Sequence, residues 1–271
     1  IAIKTMTSIG HLIDGQRING GQRTQPVYNP ATGASELSVQ LADVATVQAA
    51  IASAEAAFPA WRNTPPAKRA QVMFRFKQLL EANKDKIAAL ISEEHGKTLE
   101  DAAGELKRGI ENVEFACAAP DILKGEYSRN VGPNIDAWSD FQPLGVVAGI
   151  TPFNFPAMVP LWMYPLAIVC GNCFILKPSE RDPSSTLLIA ELLPDSFRNA
   201  HLFDADGEAG RRGEWSVFER AYPDVELRAA GDGIPENDAR HRQVEGADAV
   251  VGDHGDDSLG HRYGQREAKQ G

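Results

Sequence analysis

The feature that most constrains the fold of this chain is an alternation of short apolar segments with helical ones. Residues 145–150 and 174–177 are apolar segments with the length of strands. Each is followed by a turn and then by a helical segment, over residues 157–170 and 186–193. Short strands that alternate with helices predict a parallel α/β sheet.

The part that precedes this alternation is predicted to be helical, with a β-rich start. Residues 11–33 alternate apolar side chains with Asp-Gly and Asn-Gly pairs, which is typical of hairpins. Asp43 then opens an Ala-rich helix, and Gly96 ends a later one. Further helices are predicted over residues 67–83, 84–95 and 99–117, and strands over residues 125–143.

Charge and apolar content limit the classes of partner. The net charge of −10 disfavours a nucleic-acid partner, because such proteins carry basic patches. No apolar run reaches the roughly 20 residues of a membrane span, so we expect no membrane partner. The first residues lack the apolar core of a signal peptide, and Met6 is a candidate start. We therefore expect a cytoplasmic protein.

The cysteines and histidines do not have the spacing of a metal site. Cys170 and Cys173 form one C-x-x-C, which leaves a zinc site, a redox pair or two buried thiols as alternatives. Without a second pair or a nearby histidine we favour buried thiols. His241, His254 and His261 match no ligand pattern either, so we expect no metal.

The composition changes abruptly after Leu193. Residues 194–271 hold one lysine and one isoleucine and lack threonine, methionine and cysteine. This segment shows no apolar periodicity, which predicts an atypical polar tail, either disordered or frame-shifted. A natural flexible tail and a loss of the reading frame are both open, and we favour the second.

Polar side chains follow both predicted strands, at the strand ends where open parallel sheets bind ligands. Asn154 lies in the turn "GITPFNFP", where its amide is either a donor to a negatively charged oxygen or a helix cap. Lys177 and Glu180 follow the second strand and are suited to a ribose diol or to an ion pair in a loop. Asp182 is predicted to cap the next helix, with Pro183 as its first residue.

Several motifs in order resemble the aldehyde dehydrogenase superfamily. They are "YNPATG", "HGKTLEDAAGELKRGIENVEFAC", "TPFNFPAMVPLWMYPLAIVCGN" and "CGNCFILKPSERDPSS". They are most similar to the CoA-acylating methylmalonate-semialdehyde dehydrogenases, and the resemblance runs from residue 11 to residue 193. It implies an α/β fold of the aldehyde dehydrogenase type: an incomplete variant Rossmann NAD-binding domain with N-terminal helices and a bridging β-hairpin.

The resemblance also implies a division of the chain into parts. Residues 1–124 correspond to the N-terminal hairpins and helices of the NAD-binding domain, and residues 125–143 to the bridging, oligomerisation strands. Residues 144–193 correspond to the first βαβα unit of that domain. The catalytic domain has no counterpart in residues 194–271. The family forms homo-oligomers, with a tetramer expected, although an incomplete chain puts this assembly in question.

The family reaction implied is an oxidation of methylmalonate or malonate semialdehyde by NAD, with transfer of the acyl group to coenzyme A. By position in the motifs, Asn154 matches the donor that polarises the aldehyde oxygen. Arg108 matches an arginine that holds the substrate carboxylate, for which a guanidinium offers two parallel hydrogen bonds.

The motifs also imply the residues that bind NAD. Thr151 and Phe153 match positions where the family's loop lines the NAD crevice. Lys177 and Glu180 match positions that bind the adenosine ribose, and Arg181 lies beside them.

The family's nucleophilic cysteine and general-base glutamate have no match in this sequence. The chain is therefore an enzyme by family, an NAD-dependent aldehyde dehydrogenase, whose own turnover is in question because the reaction needs a thiolate. The alternative is a catalytically inactive fragment with residual nucleotide binding or subunit association. An unrelated α/β binding module is the third hypothesis.

Overall fold

The protein is described from a computed structural model, which covers residues 7–35, 37–198, 215–217 and 261–267. The helices of this part are α1 (Val44–Asn63), α2 (Pro66–Ala82), α3 (Lys84–His95), α4 (Leu99–Ala116), α5 (Ala119–Ile122), α6 (Met158–Val169) and α7 (Pro183–Arg198). The strands are β1 (Thr7–Ile9), β2 (His11–Ile13), β3 (Gln16–Ile18), β4 (Arg23–Val27), β5 (Leu37–Leu41), β6 (Tyr127–Gly132), β7 (Ile135–Phe141), β8 (Val146–Ile150), β9 (Cys173–Lys177), β10 (Trp215–Val217) and β11 (His261–Glu267).

The predicted parallel unit forms the side of the central sheet that carries the site. This sheet has the strand order β3-β2-β10-β9-β8. β8 and β9 pair in parallel from Val146 opposite Cys173 to Ile150 opposite Lys177, and β10 continues the parallel arrangement on the other side of β9. Because α6 follows β8 and α7 follows β9, both helices begin at the same edge of the sheet.

Two three-stranded sheets, with the orders β1-β5-β4 and β11-β7-β6, contain the remaining strands. β4 pairs antiparallel and β1 parallel with β5, while β6 and β7 form the predicted hairpin. The Asp-Gly turn between β2 and β3 is confirmed, with Asp14 at φ 53° and Gly15 at φ 66°, the left-handed backbone that such turns require. Most of the predicted tail, residues 194–271, lies outside the described residues; its described parts end α7 and form β10 and β11.

Local signals account for the ends of the N-terminal helices. Asp43 caps α1, since its Oδ1 accepts hydrogen bonds from the backbone N of Thr46 at 2.9 Å and from its Oγ1 at 2.7 Å. Gly96 ends α3 in the left-handed conformation at φ 88°, as predicted. Thr98 caps α4 by accepting from the backbone N of Asp101.

The helix α6 is central to the fold, and its prolines leave carbonyl groups without helical donors. Pro165 has no N–H for the carbonyl of Leu161, and the side-chain amide of Asn112 on α4 donates to that oxygen at 2.8 Å. Pro160 likewise leaves the carbonyl of Pro156 without a helical donor. The Oγ1 of Thr186 on α7 donates to this oxygen at 2.6 Å.

The other end of α6 is held by buried donors from α1 and α2. The indole nitrogen of Trp61 donates to the carbonyl of Ile168 at 2.8 Å, and the Nε of Arg69 donates to the carbonyl of Val169 at 2.7 Å. A guanidinium at the carbonyl end of a helix is favoured by the helix dipole. The helix α6 is thus tied to its neighbours at both ends, and this fixes the turn between β8 and α6.

Candidate functional site at the ends of β8 and β9

The two strand ends lie side by side, as expected for parallel neighbours. Beyond the last ladder pair, the backbone N of Thr151 donates to the carbonyl of Lys177 at 3.0 Å. Thr151 is 4% exposed, and its Oγ1 has no hydrogen-bond partner among the described residues. The structure therefore brings together Thr151 and Lys177, which the sequence placed at separate turns.

The N-terminus of α6 is capped by a residue from another helix. The backbone N–H groups of Ala157 and Met158 both donate to Oε1 of Glu105 on α4, at 2.9 and 3.1 Å. Glu105 is fully buried. Asn154 is exposed and its side chain makes no hydrogen bond to a described residue. The alternative in which Asn154 caps the helix is therefore wrong, because Glu105 occupies the cap.

Lys97 joins this capping carboxylate to the turn. Its Nζ donates to Oε2 of Glu105 and, at 2.6 Å, to the backbone carbonyl of Asn154. The same ammonium lies 4.1 Å from the ring centre of Phe155, within the range of a cation–π contact. Neither Lys97 nor Glu105 was singled out from the sequence, because the backbone groups that they contact, at the Asn154 turn and at the start of α6, are distant in sequence.

Arg108 lies on the same helix as Glu105, three residues further on, and so on the same side of α4. Its guanidinium lies 5.8 Å from the ring centre of Phe155 and is exposed. Among the described residues no carboxylate forms an ion pair with it; its hydrogen bond is a long one, 3.4 Å, to the carbonyl of Gly104. The predicted carboxylate anchor thus lies beside the Asn154 turn and is available to an anion.

Phe153 contacts both a cation and an imidazole. The guanidinium of Arg181 lies 4.7 Å from its ring centre, and the ring of His95 stacks on it at 6.3 Å with an angle of 28° between the planes. Phe153 is nevertheless 45% exposed, so part of the ring remains open to a ligand. Burial, followed by the charge of Lys97, lowers the pKa of His95, which favours the neutral imidazole.

Lys177 and Glu180 form an ion pair with a distance of 2.8 Å between Nζ and Oε2. Their side chains are only 13% and 20% exposed, so the pair is largely buried and not a solvated contact in a loop. A cation and a carboxylate held together at a strand end supply both a donor and an acceptor for a pair of hydroxyl groups.

The cap of α7 also differs from the prediction. The backbone N of Ser184 donates to Oε2 of Glu94 on α3 at 3.0 Å, whereas both carboxylate oxygens of Asp182 lack a hydrogen-bond partner. Asp182 is 2% exposed, and burial, reinforced by the charges of Glu94 and Glu105, raises its pKa to about 7. The predicted cap at Asp182 is therefore wrong, while Pro183 does begin the helix.

All three cysteines of the chain are buried, which confirms buried thiols for Cys170 and Cys173. Burial raises the pKa of Cys117 to about 11 and also raises that of Cys170, so these thiols are poor nucleophiles. Within the described ranges no group of three or more metal-ligating side chains could hold an ion. In the same ranges, no helix has the length and apolarity required to cross a membrane.

Comparisons with known proteins place this geometry in a family. The aldehyde dehydrogenase family profile matches residues 18–200. A malonate-semialdehyde dehydrogenase of Pseudomonas aeruginosa is 75% identical over 191 residues, which cover 70% of this chain and 38% of that protein. The human acylating methylmalonate-semialdehyde/malonate-semialdehyde dehydrogenase is 50% identical over 170 residues, which cover 63% of this chain and 32% of that protein.

Solved structures agree with the sequence relatives. The methylmalonate-semialdehyde dehydrogenase of Oceanimonas doudoroffii has a TM-score of 0.73 and 63% identity, covering 79% of this chain and 41% of that one. A structure from Sinorhizobium meliloti, complexed with NAD, has a TM-score of 0.73 and 45% identity, covering 80% of this chain and 42% of that one. The chain spans less than half the length of these relatives. It belongs to the aldehyde dehydrogenase family.

Proposed function

We propose that this chain supplies the cofactor-facing part of an NAD-dependent semialdehyde dehydrogenase site. The reaction is the oxidation of methylmalonate or malonate semialdehyde by NAD, with transfer of the acyl group to coenzyme A and release of the carboxylate as carbon dioxide, which yields propionyl-CoA or acetyl-CoA. The observation that carries the proposal is that the Asn154 amide has no hydrogen bond to a described residue, while the exposed Arg108 guanidinium, without an ion pair to a described residue, lies 5.8 Å from the ring centre of the neighbouring Phe155. Relatives whose names specify these semialdehydes support the choice of substrate.

The residues at the two strand ends fit an NAD molecule. Lys177 can donate to one ribose hydroxyl and Glu180 can accept from another, and their burial holds both in place. The Oγ1 of Thr151, which is buried and has no hydrogen-bond partner among the described residues, and the exposed part of the Phe153 ring would line the crevice that holds NAD. When bound, NAD supplies the hydride acceptor. Glutamates occupy the starts of α6 and α7, so its phosphates would lie away from these two helix N-termini.

Arg108 and Asn154 fit the two ends of the substrate. The guanidinium would hold the carboxylate by charge-assisted hydrogen bonds. The amide N–H of Asn154 would donate to the aldehyde oxygen, where negative charge develops once a nucleophile adds to the carbonyl carbon. Such a donor contributes about 3 kcal/mol to the transition state in enzymes of this type of chemistry.

A second function is favoured by the cysteines. Because all three thiols of this sequence are buried, none of them is suited to supply the thiolate that the reaction requires. The chain alone would then bind nucleotide, or associate with family subunits through the β6–β7 hairpin, without turnover. We propose a cytoplasmic protein that forms homo-oligomers when complete and has neither nucleic-acid nor membrane partners.

Two measurements on the purified chain separate these functions. Formation of NADH from malonate semialdehyde and coenzyme A tests the dehydrogenase, and quenching of tryptophan fluorescence by NAD tests binding. Turnover supports the first function, and saturable NAD binding without turnover supports the second. If NAD causes no saturable change at millimolar concentration, the dehydrogenase function and the nucleotide-binding role are both contradicted, and only association with family subunits is left.

A variant at the strand end tests the assignment of the ribose site. Glu180→Gln removes the charge that accepts a ribose hydroxyl, so we expect NAD to bind about tenfold more weakly. The control is Glu111→Gln, which removes an exposed carboxylate on α4. Equal affinities of both variants would refute the role of Glu180.

A further inference from the structure

The side chain of Asn154 does not cap the helix α6, although asparagine often caps a helix that begins nearby. It lies in the turn just before α6, and asparagine is among the preferred residues for capping the exposed N–H groups of a helix start. Its side chain nevertheless makes no hydrogen bond to a described residue, and it is exposed at the mouth of the proposed site.

Glu105 caps α6 in place of Asn154, which leaves the Asn154 amide free of that role. One of its carboxylate oxygens accepts from two successive N–H groups, those of Ala157 and Met158, at 2.9 and 3.1 Å. Glu105 comes from α4 and is fully buried, so water does not compete for these bonds. The N–H groups of Ala157 and Met158 are therefore already bonded, and the side-chain oxygen of Asn154 has no free donor at these two positions.

Lys97 fixes the backbone from which the amide projects. It donates to the other oxygen of Glu105 and to the carbonyl of Asn154, and it is itself only 15% exposed. The ammonium also balances the buried negative charge of Glu105, which would otherwise be costly. One ion pair thus holds both the start of α6 and the peptide group of Asn154.

We propose that Glu105 and Lys97 are positioning residues for the Asn154 amide. Glu105 takes over the helix cap, and Lys97 anchors the carbonyl of Asn154, so that the amide N–H points to the substrate oxygen. This inference rests on the proposed function for its purpose, although the arrangement itself can be tested without turnover.

Four variants separate the cap from the anchor. Glu105→Ala removes both. Glu105→Gln keeps an oxygen for the two N–H groups of α6, but its amide nitrogen is a donor and cannot accept a hydrogen bond from Lys97. Lys97→Met removes only the anchor, and Lys97→Arg keeps a donor of the same charge. Glu111→Ala and Lys107→Met, at exposed positions of α4, are the matched controls.

The cap is measured at Met158 by selective labelling with ¹⁵N-methionine. The chain has four methionines, so the amide signals are few, and loss of one signal in Met158→Leu assigns it. We expect hydrogen exchange of this amide to accelerate at least about tenfold in Glu105→Ala and to change little in Glu105→Gln and Glu111→Ala. Unchanged exchange in Glu105→Ala would exclude Glu105 as the cap.

The anchor is measured at the side-chain amide of Asn154, labelled with ¹⁵N-asparagine and assigned by Asn154→Ala. We expect its heteronuclear NOE to fall in Lys97→Met, Glu105→Ala and Glu105→Gln, and to recover in Lys97→Arg. Lys107→Met should leave it unchanged. An NOE that is the same in all these variants would overturn the proposal, whatever the chain binds.

Titration with malonate connects the anchor to the substrate. Malonate has the three-carbon backbone of malonate semialdehyde, with a carboxylate in place of the aldehyde. It should shift the Asn154 side-chain signal in the unmodified chain, with about tenfold weaker affinity in Lys97→Met and partial recovery in Lys97→Arg. A reduced NOE with unchanged malonate affinity in Lys97→Met would show that Glu105 and Lys97 have a structural role only. If malonate causes no shift even in the unmodified chain, the proposed substrate site fails, and the NOE comparison still decides the positioning.

Discussion

At the scale of single residues, the carboxyl group of Asp182 is the most unusual feature of the site. It is buried beside the start of α7, neither of its oxygens has a hydrogen-bond partner, and Glu94 and Glu105 add negative charge around it. The hydroxyl of Ser179 and, less strongly, the charge of Lys97 favour its ionised form, but burial outweighs both. A carboxyl group in such surroundings holds its proton near neutral pH, since an unpaired buried charge is costly.

This proton makes the stability of the chain depend on pH. The pKa of Asp182 is about 7 in the folded chain against 3.8 ordinarily, so the folded state keeps a proton that the unfolded state has lost. Its contribution to stability is fully present below the ordinary pKa. It is lost as the pH rises from there through the folded pKa. Between about pH 5 and about pH 8 we expect a loss on the order of 2 kcal/mol.

The variant Asp182→Asn tests this dependence. It has no carboxyl group to ionise, so its free energy of unfolding in urea should fall less over the same pH range, and it should exceed that of the unmodified chain at the higher pH. Burial lowers the pKa of His11 and His95, which acts in the opposite direction, so the quantity to compare is the difference between variant and unmodified chain. Asp85→Asn, at an exposed position of α3, is the control. Parallel pH curves for Asp182→Asn and the unmodified chain would contradict the prediction.

At the scale of elements, α6 shows how a helix tolerates prolines. Pro165 leaves the carbonyl of Leu161 without a helical donor, and Asn112 of α4 supplies one. Close packing makes this possible: a Cβ on Gly109 would lie 2.6 Å from a methyl carbon of Leu161, so a glycine is needed for α4 to approach. Gly109 and Asn112 are three positions apart on α4, and both face α6.

Asn112→Ala should therefore cost about 1–3 kcal/mol of unfolding free energy, because the carbonyl of Leu161 is left buried without a donor. The cost should depend on Pro165. In the background Pro165→Ala the backbone N–H of residue 165 can bond to that carbonyl, and Asn112→Ala should cost much less. Urea unfolding of the four chains of this cycle measures the coupling. Additive effects would show that Asn112 does not compensate for the proline.

The elements and the site differ in how far the sequence predicted them. Most helix bounds and the parallel strands were predicted closely, because they depend on local periodicity and on neighbours such as Asp43 and Gly96, whereas α7 extends beyond the predicted residues 186–193 at both ends. The caps of α6 and α7 were not predicted, since their acceptors, Glu105 and Glu94, are distant in sequence. One signal was present: residues 105, 108, 109 and 112 have the spacing of a single helix face, which combines a carboxylate, a guanidinium, a glycine and an amide.

At the scale of the whole molecule, the central sheet ends in β8. In the part of the chain that the structure describes, β9 is its strand neighbour and the other edge is unpaired. Ile150 at the end of β8 is 63% exposed, and Trp162 on the following helix is 50% exposed. An unpaired edge strand flanked by apolar side chains favours association with a second sheet, so we expect the chain to aggregate.

A lysine on this edge should suppress the aggregation. Ile150→Lys places a charge on β8 that a pairing strand would have to bury, and we expect a larger soluble fraction and less light scattering on warming. The net charge of the chain is −10, so a lysine lowers its magnitude and any gain cannot come from overall repulsion. Leu144→Lys is the matched control, because Leu144 is 65% exposed but precedes the strand. Equal gains from the two lysines would mean that exposed apolar surface, and not the strand edge, drives association. If Ile150→Lys does not increase the soluble fraction, the surface through which the chain aggregates lies elsewhere.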